Sequence, residues 1–159
     1  MVGSGEIQAL KRIYGESEHQ LDEKGRVNVP KRFQPLFSGG GFLTRSFDAS
    51  CLLYWGQEAW EDFQEKMAGM RFTDESADLV ERWVSCGSEV TLDGQGRLSV
   101  PPLLRRYAGL IGEVTLVARG NKLEVWDTNR WAAYQAEQMN PDNIRTALRQ
   151  LDQRFPGNT

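Results

Sequence analysis

The spacing of apolar residues along this chain switches from two-residue to helical periodicity, and then does so a second time. Arg26-Val-Asn-Val29 alternates with Val27 and Val29 on one side, and Arg97-Leu-Ser-Val100 repeats the pattern. This is the period of a strand with one buried face. Asp22-Glu-Lys-Gly25 and Asp93-Gly-Gln-Gly96 stand before these runs. Both predict tight hairpin turns, in which the Asp side chain bonds forward to the backbone and Gly supplies a positive φ. Pro30 and Pro101 end the strands and predict short helices over 31–37 and 102–108. Further strand pairs are predicted at 42–46 with 52–55, and at 113–117 with 122–126. The period then becomes helical: Trp60, Phe63 and Met67; Ala77, Val80, Trp83 and Val84; Trp131 and Tyr134, with a polar exception at Gln138. Asn140-Pro-Asp142 predicts an N-cap, a first-turn proline and a first-turn acid for the helix of Ile144, Leu148 and Leu151.

The two sets are one pattern repeated. Residues 21–30 line up with 92–101 at an offset of 71, which is expected to persist without a gap. Ser17 and Glu18 fall on Ser88 and Glu89, Gly41 on Gly112, Thr44 on Thr115, and Leu52 on Leu123. Trp55 falls on Trp126 and Trp60 on Trp131, an agreement chance does not give for a rare residue. The chain thus reads as an arm (1–12), a first repeat with an extra helix (13–85) and a second repeat with a C-terminal helix (86–159). Four short strands and a small helix cannot hold a core alone, whereas two copies around a pseudo-two-fold axis can.

Composition removes several classes of function. No run approaches the eighteen or so apolar residues of a membrane helix, and the start lacks the apolar core of a signal peptide. With two cysteines and one histidine in 159 residues, neither a disulfide framework nor a zinc site is expected. Cys51 and Cys86 read as small buried hydrophobes in a reducing cytosol, and His19 as a strand residue beside a turn. There is no Gly-x-Ser-x-Gly elbow. Asp22-x-x-Gly25 and Asn121-Lys-Leu-Glu124 mimic GTPase motifs, but no phosphate-cradling Gly-Lys loop precedes them. The chain is expected not to be an enzyme, with no cofactor, no metal and no small-molecule substrate. The aromatic stripes read as core or interface, and Trp60, Phe63, Met67, Val80 and Trp83 exceed what one chain readily covers, which predicts an oligomer.

Charge adds a further element. The net charge is -3, mildly unfavourable for a lone DNA binder. Eight of the acids lie in one block (Glu58, Glu61, Asp62, Glu65, Asp74, Glu75, Asp78, Glu81), against Lys66, Arg71 and Arg82. The rest of the chain is therefore slightly basic and can carry a basic face.

The paired Asp-x-x-Gly-Arg…Pro turns, Phe42-Leu-Thr-Arg45, and Leu123-Glu-Val-Trp-Asp127 ahead of Trp131 closely resemble the MraZ family. These are bacterial transcription regulators of the AbrB/MazE-like superfamily. The resemblance runs from about Ile13 to Leu151. It implies an α+β fold: a tandem, pseudo-two-fold swapped-hairpin (double-split) β-barrel with peripheral amphipathic helices, assembled into a ring. It implies binding of double-stranded DNA at short direct repeats upstream of a division and cell-wall gene cluster, in the cytoplasm and on the nucleoid. The family's Asp-x-x-x-Arg motif maps to Asp22 and Arg26, and to Asp93 and Arg97. Residues 1–12 precede the usual family start.

The residue chemistry agrees with this. Arginine is always charged and presents a planar fork that fits guanine O6/N7 or a phosphate. Arg26 and Arg97 are expected to be exposed, aimed by Asp22 and Asp93 on turns formed with Gly25 and Gly96. Lys24, Lys31 and Arg32 are expected around the first turn, with Arg105 and Arg106 after the second. The first turn carries Lys24 where the second has Gln95, so it is expected to bind more strongly. A reading from another class is a protein-interaction or antitoxin-like module that uses the acidic helical segment; the capped final helix, in place of a disordered tail, weakens it.

Overall fold

The computed structural model describes residues 12–47, 49–70 and 74–157. The expected arm as far as Lys11, and Arg71 of the acidic block, lie outside the described residues. The chain forms two compact units, one ending at Asp127 and one beginning at Thr128.

In the first unit, strands from both repeats share two antiparallel sheets. The first repeat gives β1 (Ile13–Gln20), β2 (Arg26–Asn28), β3 (Gly41–Arg45) and β4 (Leu52–Gly56). The second gives β5 (Ser88–Glu89), β6 (Arg97–Ser99), β7 (Glu113–Gly120) and β8 (Lys122–Asp127). Six strands form one sheet in the order β1-β7-β8-β4-β3-β5, and β2 pairs with β6 in a separate ribbon. Among the described residues, only the β3–β4 and β7–β8 hairpins join strands of the same repeat; every other pairing crosses from one repeat to the other. The repeats interlock, and the expected α+β class holds.

Exchanging the repeats and reversing the strand order returns the same order, so a local two-fold relates the halves. It passes where Leu53 faces Glu124 and where Val27 faces Leu98. Each of these residues faces its own counterpart at the offset of 71.

The gapless offset fails in one place. Leu43 pairs with Tyr54 and Ser88, while Leu116 pairs with Val125 and Ser17. Leu43 is therefore the counterpart of Leu116, and the matches of Gly41 with Gly112 and Thr44 with Thr115 are two residues out of register. The first repeat approaches β3 through a short 3-10 turn, Gln34–Phe37, where the second has a full helix, Pro102–Ala108. After the strand the balance reverses: residues 46–51 join β3 to β4, whereas Asn121 alone separates β7 from β8. A two-residue slip keeps every side chain on its face, whereas one residue would invert them all.

The same contrast corrects the helix expected over 31–37. Pro35 has no N–H to donate and its ring clashes one turn back, so it cannot sit inside an α-helix. The backbone instead makes i→i+3 bonds, such as Phe33 N–H to Pro30 O at 2.9 Å.

The core lies between the ribbon and the inner sheet face. Val27, Val29, Leu98 and Val100 meet Leu43, Leu52, Tyr54, Leu116, Leu123 and Val125 there. Phe37 stacks on Tyr54 at 4.3 Å, and the Tyr54 hydroxyl donates to Val90 O at 2.6 Å. On the outer face, α1 (Gln57–Ala68) lays Trp60 and Phe63 against Leu53 and Trp55. In α2 (Glu75–Ser85), capped by Asp74, Trp83 donates to Ser46 O and lies under the Arg45 guanidinium at 3.7 Å. Trp60, Phe63 and Trp83 are half-buried, each packed in part within the first unit. Cys51 is buried as expected, but Cys86 is exposed because it caps the end of α2.

The helix α3 (Pro102–Ala108) ends at Gly109, whose φ of +67° closes the turn. The second unit is a helix pair, α4 (Thr128–Gln138) and α5 (Pro141–Arg154). Asn140 caps α5 by accepting from Asn143 N–H at 2.9 Å. Its apolar stripe is open to solvent: Ile144 is 46% exposed, Leu148 51% and Leu151 40%.

Candidate nucleic-acid interface

Each hairpin turn is held by one carboxylate. Asp22 Oδ1 accepts from the backbone N–H of Lys24 and Arg26, both at 2.9 Å, while Oδ2 accepts from Arg26 Nε at 2.7 Å. Asp93 repeats this with Gln95, Arg97 and Arg97 Nε at 2.9, 2.9 and 2.7 Å. Gly25 and Gly96 both have a φ of +76°, which lets the turn close without Cβ strain. Both carboxyls sit below their ordinary value, first because of the backbone N–H of the arginine and next because of its side chain. The two acids thus form the turns and aim the arginines.

The ribbon sets which way the arginines point. Val27 is 1% exposed and Leu98 not at all, so their neighbours face outward. Arg26 lies opposite Ser99 and Arg97 opposite Asn28. One outer face therefore carries both arginines, related by the local two-fold. They are less open than expected: each side chain is 25% exposed. Nε–H donates to the aspartate, which leaves Nη1 and Nη2 without a hydrogen bond to the described residues. Fixing one edge lowers the rotamer entropy lost when the other edge binds a partner.

Strand exchange also redistributes the surrounding residues. A Cβ on Gly25 would lie 2.6 Å from Arg105 Cζ, and one on Gly96 2.2 Å from Gln34 Nε2. Arg105 Nε donates to Val100 O at 2.9 Å and Gln34 Nε2 to Val29 O at 2.8 Å. Each repeat thus lays a side chain over the turn of the other, and Val29 N–H bonds Gly96 O while Val100 N–H bonds Gly25 O. Lys31, expected at the first turn, lines a shallow depression with Asp93, Gly94, Gln95 and Gly96 of the second. Arg32 lies over the Phe33 ring at 4.5 Å. It is near enough to His19 that, after burial, its charge is the second cause holding that imidazole below its ordinary value. Lys24 remains exposed at the tip of the first turn. The exchange thus sets one cation beside each turn, Arg105 at the first and Lys31 at the second, and the difference between Lys24 and Gln95 remains. Sequence reasoning left out Arg105 and Gln34 as buttresses, and did not count the outward-facing Asn28 and Ser99 among the candidate site residues. Alternation placed the last two outward; sequence held no signal for the first two, because their partners lie in the other repeat.

Among the described residues no group of three or more His, Cys, Asp or Glu could hold a metal ion, and no helix is long and apolar enough to cross a membrane.

Two interlocked copies of one unit, each presenting an Asp-braced arginine on a shared ribbon, define a tandem-repeat α+β protein with paired turns on one face. The profile of the MraZ protein family, whose description adds the label antitoxin-like, matches residues 13–83 and again 86–154. The chain belongs to the MraZ family. It is 34% identical over 141 residues to the transcriptional regulator MraZ of Acetivibrio thermocellus, covering 87% of this chain and 98% of that protein. It is 39% identical over 124 residues to that of Thermomicrobium roseum (77% and 86%). It is 37% identical over 121 residues to that of Saccharopolyspora erythraea (76% and 84%). These relatives are named as regulators, a non-enzymatic class.

Proposed function

We propose that the protein is a sequence-specific DNA-binding transcriptional regulator, acting in the cytoplasm on the nucleoid. Arg26 and Arg97 read guanines, and Lys24, Lys31 and Arg32 contact phosphates. The observation that carries this is the pair of braced arginines on one ribbon face, since a two-stranded ribbon fits the major groove. The exchange of strands supports the swapped-hairpin, double-split barrel as the architecture of the first unit. The target is a set of short direct repeats upstream of a division and cell-wall gene cluster.

The acting species is a ring of copies. Supporting this, the α5 stripe of Ile144, Leu148 and Leu151 is exposed and flanked by Arg145, Arg149 and Arg154. A groove of about 390 Å³ beside α1 and α2 is lined by Phe42, Trp60, Phe63, Met67 and Val84, with Glu81 and Glu89 among its lining. Apolar stripe and groove, with opposite charges beside them, fit a helix-in-groove contact between successive copies. A head-to-tail contact of this kind closes into a ring when its rotation closes.

The test is a gel shift with the DNA upstream of the protein's own gene. Arg26→Ala should weaken binding about tenfold or more, the size of a lost bidentate arginine–guanine contact, and Arg97→Ala should also weaken it. If both variants bind like the parent, the turns serve the fold alone.

A further inference from the structure

We infer that Asn28 and Ser99 give the recognition ribbon a direction, with Asn28 reading an adenine edge that nothing reads at the mirrored position. This rests on the DNA-binding reading above and adds to it a residue that sets base preference and the symmetry of the site.

The argument starts from the register. On the outer face of the ribbon, Arg26 faces Ser99 and Asn28 faces Arg97. The local two-fold through Val27 and Leu98 relates Arg26 to Arg97 and Asn28 to Ser99. The arginines obey that symmetry, and the residues between them break it. If all four positions matched, the ribbon would present the same chemistry after a half-turn, as a palindromic duplex does. With Asn on one strand and Ser on the other, it cannot.

Neither residue has a structural task that accounts for it. The turns are made by the aspartates and glycines, and the core side of the ribbon by Val27 and Leu98. Asn28 and Ser99 are exposed, and neither side chain hydrogen-bonds to the described residues. An asparagine amide offers a donor and an acceptor side by side, which match adenine N6 and N7; a serine hydroxyl is short and accepts either pattern. Asn28 lies directly across from Arg97, roughly 5 Å away. Base pairs rise about 3.4 Å per step, so the two side chains reach the same or adjoining pairs. Lys24 and Gln95 also break the two-fold, but at the turn tips, where a lysine acts as a point charge toward phosphate.

The experiment is selection of bound sequences from a randomised duplex pool by the full-length protein, the Asn28→Ala variant and the Ser99→Asn variant. The parent should enrich a non-palindromic site with an A·T pair beside a guanine. Asn28→Ala should flatten that A·T preference by about tenfold while the guanines persist. Ser99→Asn makes the face symmetric, so it should add a second A·T preference at the mirrored position and turn the site into an inverted repeat. Both substitutions are at exposed positions, and circular dichroism checks that each variant is folded. A parent motif that survives Asn28→Ala unchanged, or that Ser99→Asn leaves one-sided, overturns this inference alone. A parent that enriches no motif overturns the DNA-binding reading and this inference with it.

Discussion

Gly25→Ala tests whether the hairpins are truly exchanged. The added Cβ acts in two ways. At a φ of +76° an L-residue costs roughly 1–2 kcal/mol. The same atom would also lie 2.6 Å from Arg105 Cζ, so the guanidinium must move and its 2.9 Å bond to Val100 O is lost or bent. Hydrogen bonds to charged groups are worth about 1.5–3 kcal/mol; half-exposed Arg105 belongs at the low end. The total is about 2–4 kcal/mol, a large share of a stability of about 5–15 kcal/mol. The second variant needed is Arg105→Ala, which removes the obstacle and leaves the φ. In that background Gly25→Ala should cost only about 1–2 kcal/mol, giving a coupling of about 1–2 kcal/mol between residues in contact. Urea unfolding of the four proteins at one fixed concentration reads this out. Equal cost of Gly25→Ala in both backgrounds would mean that Arg105 does not cover the first turn, and the exchanged pairing would lose its energetic support.

Three further outcomes are expected. Asp22 and Asp93 have carboxyl pKa values held below the ordinary 3.8, so their contribution is present above that value and lost as pH falls through the depressed folded value; the stability gap between the parent and the Asp22→Asn/Asp93→Asn protein should be flat near neutrality and close below about pH 4 in thermal melts. Leu148→Asp on α5 should lower the solution mass measured by light scattering while leaving the far-ultraviolet dichroism unchanged, and a parent that is already monomeric at micromolar concentration would count against assembly through this helix. Affinity for probes with one, two and three direct repeats at fixed salt should rise steeply, since linked binding events raise avidity by about 10²–10⁴; indifference to repeat number would leave the ring without a role in binding.

Local chemistry makes much of this protein legible in its sequence. The Asp-x-x-Gly-Arg turns, the alternation of Arg26-Val-Asn-Val29, the Asn140 cap and the repeat itself all depend on neighbours a few residues away. Their hydrogen bonds form as the sequence pattern predicts. The exposed positions of Asn28 and Ser99 are likewise written in the alternation, although their value as a matched pair is not. Tertiary structure decides which repeat supplies each neighbour. Two similar repeats can satisfy the same ladder hydrogen bonds within one copy or across both, and local sequence does not choose between them. That choice places Arg105 over Gly25, Gln34 over Gly96 and Lys31 beside the second turn. Packing also sorts the aromatic and apolar stripes: Trp60 and Trp83 pack inside the first unit, while Leu148 is half exposed. An apolar helical face records only that something must cover it; the partner is set by contacts distant in sequence, through packing and loop-closure terms that no local pattern encodes.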